Sequence, residues 1–197
     1  MGSFAAQQYV LDHSREIDAL VLSASGALDA LARVANSGSS AFEPTRIRAD
    51  WLSRDNVAVD ALIDDPCCFR DLQPVSFASF LGAASRLSDP VNLCKIRSDL
   101  PIYLLSGSAD PLGQHLKGVQ SLIERYRKAG IVQISRDLYI GGQREMLLEI
   151  NHSEVQARLL SWIAAQVGGF DCANSSERSK GNTLGGLFRS EGLAATA

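Results

Sequence analysis

The sequence has no apolar run approaching the ~20 residues that a membrane-spanning helix needs, so no helical span is expected. It has no excess of one charge: 19 Lys and Arg stand against 22 Asp and Glu, a net charge of −3. That balance leaves no basic footprint for nucleic acid. The four cysteines, Cys67, Cys68, Cys94 and Cys172, contain no Cys-x-x-Cys pair. Free buried thiols in a reducing, cytoplasmic compartment are therefore expected, rather than disulfides or a metal centre. The start, Met1-Gly-Ser-Phe-Ala-Ala-Gln-Gln8, lacks the basic segment and apolar core of a secretory signal. Ala6 stands where N-myristoylation would require Ser or Thr. No Gly-rich phosphate loop opens a helix and the Cys and His positions form no ligand set, so neither a metal nor an organic cofactor is expected.

What is present suits one domain with its own core. The chain has 197 residues, 46% of them apolar and 21% charged, which is ordinary for a soluble globular protein. The most informative stretch is Pro101-Ile-Tyr-Leu-Leu-Ser-Gly-Ser-Ala-Asp110-Pro-Leu-Gly113. An apolar strand ends in Ser-Gly, and an acidic side chain follows in a turn closed by Pro and Gly. In open α/β sheets, chemistry gathers in the crevice beyond the carboxyl ends of the strands. Asp110 is placed there, although Asp is equally a common turn residue.

In chain order, residues 3–14 predict a helix and Ile17–Ser23 a short buried strand. Ala27–Val34 predicts a further helix, ended by Asn36-Ser-Gly-Ser-Ser40. From there to about Leu93 the pattern is irregular, with short helical pieces interrupted by Pro44, Pro66, Pro74 and Pro90. Ser53-Arg-Asp55 provides one helix start. This region, about 36–95, reads as an insertion or lid over a sheet. After the Pro101 strand, Gly118–Ala129 predicts a helix stopped by Gly130, and Ile131–Ile140 another strand. Ser153-x-x-Gln156 predicts a capping-box start for a last helix, with Val155, Leu159, Trp162 or Ile163, and Val167 on its buried stripe. Strand, helix, strand, helix with short joints means right-handed crossovers and a parallel sheet. Residues 168–197 turn to Gly, Ser, Asn and small side chains, the composition of a disordered tail. No internal repeat is evident.

Several motifs carry a resemblance: Trp51-Leu-Ser-Arg-Asp55, Val59-Asp-Ala, Asp65-Pro-Cys-Cys-Phe69, Leu100-Pro, Gly107-Ser-Ala-Asp-Pro-Leu-Gly113, Tyr126-Arg-Lys-Ala-Gly130, Tyr139-x-Gly-Gly and Glu145-Met-Leu-x-Glu149-x-Asn151. In order and spacing, residues 1 to about 167 resemble the lysophospholipase-like α/β-hydrolases, the monoacylglycerol lipase and serine aminopeptidase S33 group. The resemblance implies an α/β class and a partial α/β-hydrolase fold. About three parallel strands, their flanking helices and a helical lid insertion would be kept. It implies descent from a serine carboxylic ester hydrolase, with a lipid or acyl ester as substrate.

That chemistry needs a Ser on a Gly-x-Ser-x-Gly turn, a His that takes its proton, and an Asp that orients the His. Asp110 matches the family's acid. No Gly-x-Ser-x-Gly occurs in these 197 residues. Family elbows commonly read Gly-His-Ser-Met-Gly, so Met1-Gly2-Ser3-Phe4-Ala5 resembles the half that follows the nucleophile. The nucleophile would then sit just ahead of Met1, and Ser3 would lie on the helix beyond it. One oxyanion-hole donor would be the backbone N–H of Met1. Where the family reads Tyr-x-Gly-x-Arg-His-Glu, this chain reads Tyr139-Ile-Gly-Gly-Gln-Arg144-Glu145, so Arg144 stands at the position of the His. Arginine stays protonated at any working pH and cannot take a proton from serine, but it could pair with Asp110. His152 reads as a surface residue near a helix start; His115 heads into a helix and His13 ends one. The expectation is a chain inactive as it stands. The strand at Ile17–Ser23 would present an open edge, favouring self-association or pairing with an N-terminal half. The alternatives are a non-catalytic binding or assembly module, or a gene remnant.

Overall fold

The computed structural model describes residues 2–27, 46–47, 49–68 and 74–167. Helix α1 (Gly2–His13) leads to strand β1 (Leu20–Ser23). Helices α2 (Asn56–Asp64), α3 (Pro74–Ser88) and α4 (Pro90–Leu93) follow before strand β2 (Ile102–Gly107). Then come α5 (Lys117–Lys128), β3 (Ile134–Tyr139), a 3-10 turn at Met146–Leu148 and α6 (His152–Gln166). The three strands form one parallel sheet in the order β1-β2-β3. Leu20 pairs with Ile102 and Ile102 with Ile134.

All six residues of β2 are buried, as a central parallel strand covered on both faces requires. Alternation sends Ile102 and Leu104 to one face, where they meet Phe4, Val10 and Leu11 of α1 and Val119, Leu122 and Tyr126 of α5. Tyr103 and Leu105 point the other way, against Met146 and Val155, with Leu159 and Trp162 half-buried beside them. Trp162 stacks on Tyr103 with ring centroids 5.1 Å apart. The face formed by α1 and α5 carries the larger core.

Local signals explain several boundaries. Asp55 caps α2, accepting from Val57 N at 3.0 Å and Ala58 N at 3.2 Å. Asp89 caps α4, with Pro90 in the first helical turn. Gly130 ends α5 with φ +93°, a conformation that costs a residue with a Cβ atom about 1–2 kcal/mol.

Four expectations need correction. Pro74 does not interrupt a helix; it opens α3, which runs for 15 residues, because a first-turn proline sacrifices no intrahelical bond. The last helix does not start from a Ser153 capping box: Asn151 is at the N-cap without a side-chain cap, and Ser153 lies inside the helix. The fold starts α6 two residues earlier, with Asn151 at the N-cap, where His152 Nδ1 lies 2.9 Å from the Glu149 carbonyl oxygen. Val167 is exposed rather than on the buried stripe. The described thiols are free but not buried: Cys67 and Cys94 are exposed and Cys68 is half-buried. Of the helix predicted over Ala27–Val34, Ala27 is described and is not helical, while the remainder, like Cys172 and the tail predicted over 168–197, lies outside the described residues. No helix among the described residues is long and apolar enough to cross a membrane.

Candidate functional site

Two loops meet beyond the carboxyl ends of β2 and β3. The first, after Gly107, carries Asp110, which is buried to 1% exposure. Asp110 Oδ1 accepts from Leu112 N at 2.9 Å. Gly113 leaves room for the carboxylate, since a Cβ there would stand 3.1 Å from Oδ2. Beyond it Gln114, His115 and Leu116 take left-handed φ values of 50°, 51° and 75°. Three successive residues in that region are costly, and their strain sits directly beside the acid. His115 is in this turn, two residues ahead of α5; its Nδ1 lies 3.2 Å from the carbonyl oxygen of Ser108.

The second loop, after β3, carries Arg144. Its Nη1 donates to Asp110 Oδ2 at 3.3 Å, and its side chain is 12% exposed. The guanidinium carbon lies 5.9 Å from the ring centre of Trp51, within reach of a cation–π contact. Burial pushes the Asp110 carboxyl above its ordinary pKa, while Arg144 and the N–H groups of Gly113 and Leu112 oppose that rise. The structure thus brings Asp110 and Arg144 together and aims a fixed cation at the carboxylate.

Close approach of the loops depends on glycine. A Cβ on Gly107 would stand 2.1 Å from the carbonyl oxygens of both Gly142 and Gln143. Ser108 Oγ accepts from Gly141 N at 2.8 Å, and Ala109 N donates to Gly142 O at 2.8 Å. The acid's loop and the arginine's loop are one hydrogen-bonded unit.

The remaining candidates lie elsewhere. Ser3 is on α1, half-buried; Met1, the expected oxyanion donor, is outside the described residues. His13 ends α1 with Nδ1 2.8 Å from Glu16, and His152 is the first residue of α6. Cavities of about 310 and 570 Å³ open between β3 and α6; neither is lined by Asp110 or Arg144.

Sequence reading missed three contributors. Glu149 is fully buried, Arg54 is its ion partner at 2.9 Å, and Trp51 faces Arg144. Each stood within a resembling motif, but nothing local distinguished a buried carboxylate from a solvated one. Only the approach of two segments about 95 residues apart reveals it.

A family model described as serine aminopeptidase, S33, matches residues 1–151. No curated protein matches the chain. Among solved structures, a thermostable carboxyl esterase from Bacillus coagulans superposes with a TM-score of 0.70 at 21% identity, covering 84% of this chain and 62% of that one. A monoacylglycerol lipase from Paleococcus ferrophilus gives 0.63 at 17%, covering 83% and 65%. A monoglyceride lipase variant from Saccharomyces cerevisiae gives 0.59 at 14%, covering 83% and 62%. These likenesses show a shared fold, of which this chain spans less than two thirds of each neighbour's length.

Proposed function

Because the chain belongs to the serine aminopeptidase S33 family, we propose that it is an α/β-hydrolase of carboxylic ester hydrolase descent whose proton-acceptor position is closed by Arg144. The observation that carries this is the 3.3 Å ion pair between Arg144 and the buried Asp110. In a serine hydrolase the acid holds a neutral imidazole in the tautomer that can accept the serine proton. Here the acid holds a guanidinium, which has no free lone pair and gives up no proton in the working range. The neighbours' names favour an ester or acylglycerol over a peptide as the ancestral substrate. The segment between β1 and β2, with its separate apolar cluster of Ala49, Leu52 and Val59, is the lid of this reading.

Loss of one triad member costs roughly 10⁴–10⁶ in turnover, so the 197-residue chain turns over p-nitrophenyl esters no faster than a buffer control. Where the codons ahead of Met1 encode Gly-His-Ser in frame, the extended protein carrying Arg144→His gains ester hydrolysis and the unmodified extension does not. Activity in the unmodified extension would overturn the assignment of position 144.

A second reading, a non-catalytic assembly module, draws on β1, which has β2 as its one strand neighbour among the described residues. An open apolar edge favours pairing with another copy or with an N-terminal half. Sedimentation showing a strict monomer across the micromolar range would remove it.

A further inference from the structure

Glu149 is an acidic side chain at zero exposure, and its carboxylate is filled by donors from three places. Oε1 accepts from Gln143 N at 2.7 Å and from Arg54 N at 3.4 Å. Oε2 accepts from Arg54 Nε at 2.9 Å and from Ile150 N at 3.2 Å. Gln143 and Glu149 are the two ends of the loop that carries Arg144, so one carboxylate closes that loop across six residues. Arg54 belongs to a different part of the chain, just before α2. The same strip adds two further ties: Glu145 N donates to Leu52 O at 2.7 Å, and Ser53 Oγ to Leu148 O at 2.8 Å. Trp51, next in line, faces the Arg144 guanidinium.

We propose that Glu149 is a positioning residue: by binding Gln143 to Arg54 it fixes the arc on which residue 144 sits, holding that side chain between Trp51 and Asp110. A carboxylate buried this deeply survives only when its lone pairs are filled and its charge is matched, and Arg54 with the two loop amides does both. The geometry acts on whichever side chain occupies position 144. It therefore goes beyond the family reading and does not depend on Asp110 having been catalytic.

The test reads the site rather than overall stability, through the titration of Asp110 followed by carboxyl-carbon NMR. Arg144 holds the Asp110 pKa down against the burial that raises it, so a disengaged Arg144 lets Asp110 titrate at higher pH. In folded Glu149→Gln the Asp110 midpoint moves up, to the value that Arg144→Met gives. Removing a negative charge acts through space only to move it down, so an upward shift reports lost positioning. Glu149→Asp keeps the charge but shortens the reach; it covers the case in which Glu149→Gln does not fold, and it too moves the midpoint up. An Asp110 midpoint in the folded variant equal to that of the unmodified chain overturns the proposal.

Discussion

Replacing Arg144 with Met tests the ion pair at the centre of the site. The substitution keeps much of the aliphatic volume and leaves Asp110, at 1% exposure, without its cation. Removing one partner of a well-buried pair costs about 3–5 kcal/mol. Arg144 is 12% exposed and its contact is a single 3.3 Å bond, while Leu112 N still serves the carboxylate. A loss of about 2–3 kcal/mol at neutral pH follows. For a chain of this size that lowers the thermal midpoint by about 4–12 °C. The loss depends on pH with a definite sign. Burial raises the folded Asp110 pKa above its unfolded value, so the folded state binds more protons and stability falls as pH rises through that pKa. Without Arg144 the folded pKa climbs further and the fall steepens. Urea unfolding of both proteins at pH 8, and again on the acid side of the carboxylate range, measures this. The deficit of Arg144→Met shrinks in acid, and Asp110→Asn added to Arg144→Met recovers stability at pH 8. An equal deficit at both pH values, with no recovery in the double variant, would refute the reasoning.

Gly107→Ala drives a Cβ into two backbone carbonyls at 2.1 Å, so it is expected to cost roughly 3 kcal/mol in urea unfolding and to detach the two loops, read as faster amide exchange at Ala109. Leu104→Ala, at 1% exposure in the central strand, is expected to cost about 3 kcal/mol by the same assay. The Tyr103 hydroxyl donates to Asp137 at 2.6 Å, and burial together with Asp137 pushes its pKa well above the ordinary tyrosine value. A folded Tyr103 therefore stays neutral as an unfolded one ionises, favouring the fold below the ordinary tyrosine pKa and withdrawing that support as pH rises further. In alkaline ultraviolet titration Tyr103→Phe should leave the early-titrating tyrosine signal unchanged.

Much of the fold could be read in the sequence because its signals are local. Leu104 and its neighbours form an uninterrupted apolar run, Val119, Leu122 and Tyr126 recur at helical spacing, and Gly130 marks a left-handed stop. Where the reading went astray, a tertiary choice outweighed a local one. Ser153-x-x-Gln156 has the letters of a capping box, yet the helix starts at His152. Pro74 looks like a breaker, yet it begins a 15-residue helix. At the site, Asp110 stood out by its place beyond the carboxyl end of an apolar strand. Its role and Arg144 came from matching residue types to a family pattern, and the distance between them came from the fold. The Glu149–Arg54 pair joins segments far apart in the chain, and no periodicity or spacing encodes such a contact.

We propose that this polypeptide carries the frame of a serine hydrolase with a permanent cation where the proton acceptor would stand. Treating the purified 197-residue chain with a fluorophosphonate and mapping adducts by mass spectrometry tests it most directly. No serine is expected to be labelled above the level of the heat-denatured control. Stoichiometric labelling of one serine, accompanied by ester turnover that the same reagent abolishes, would contradict it.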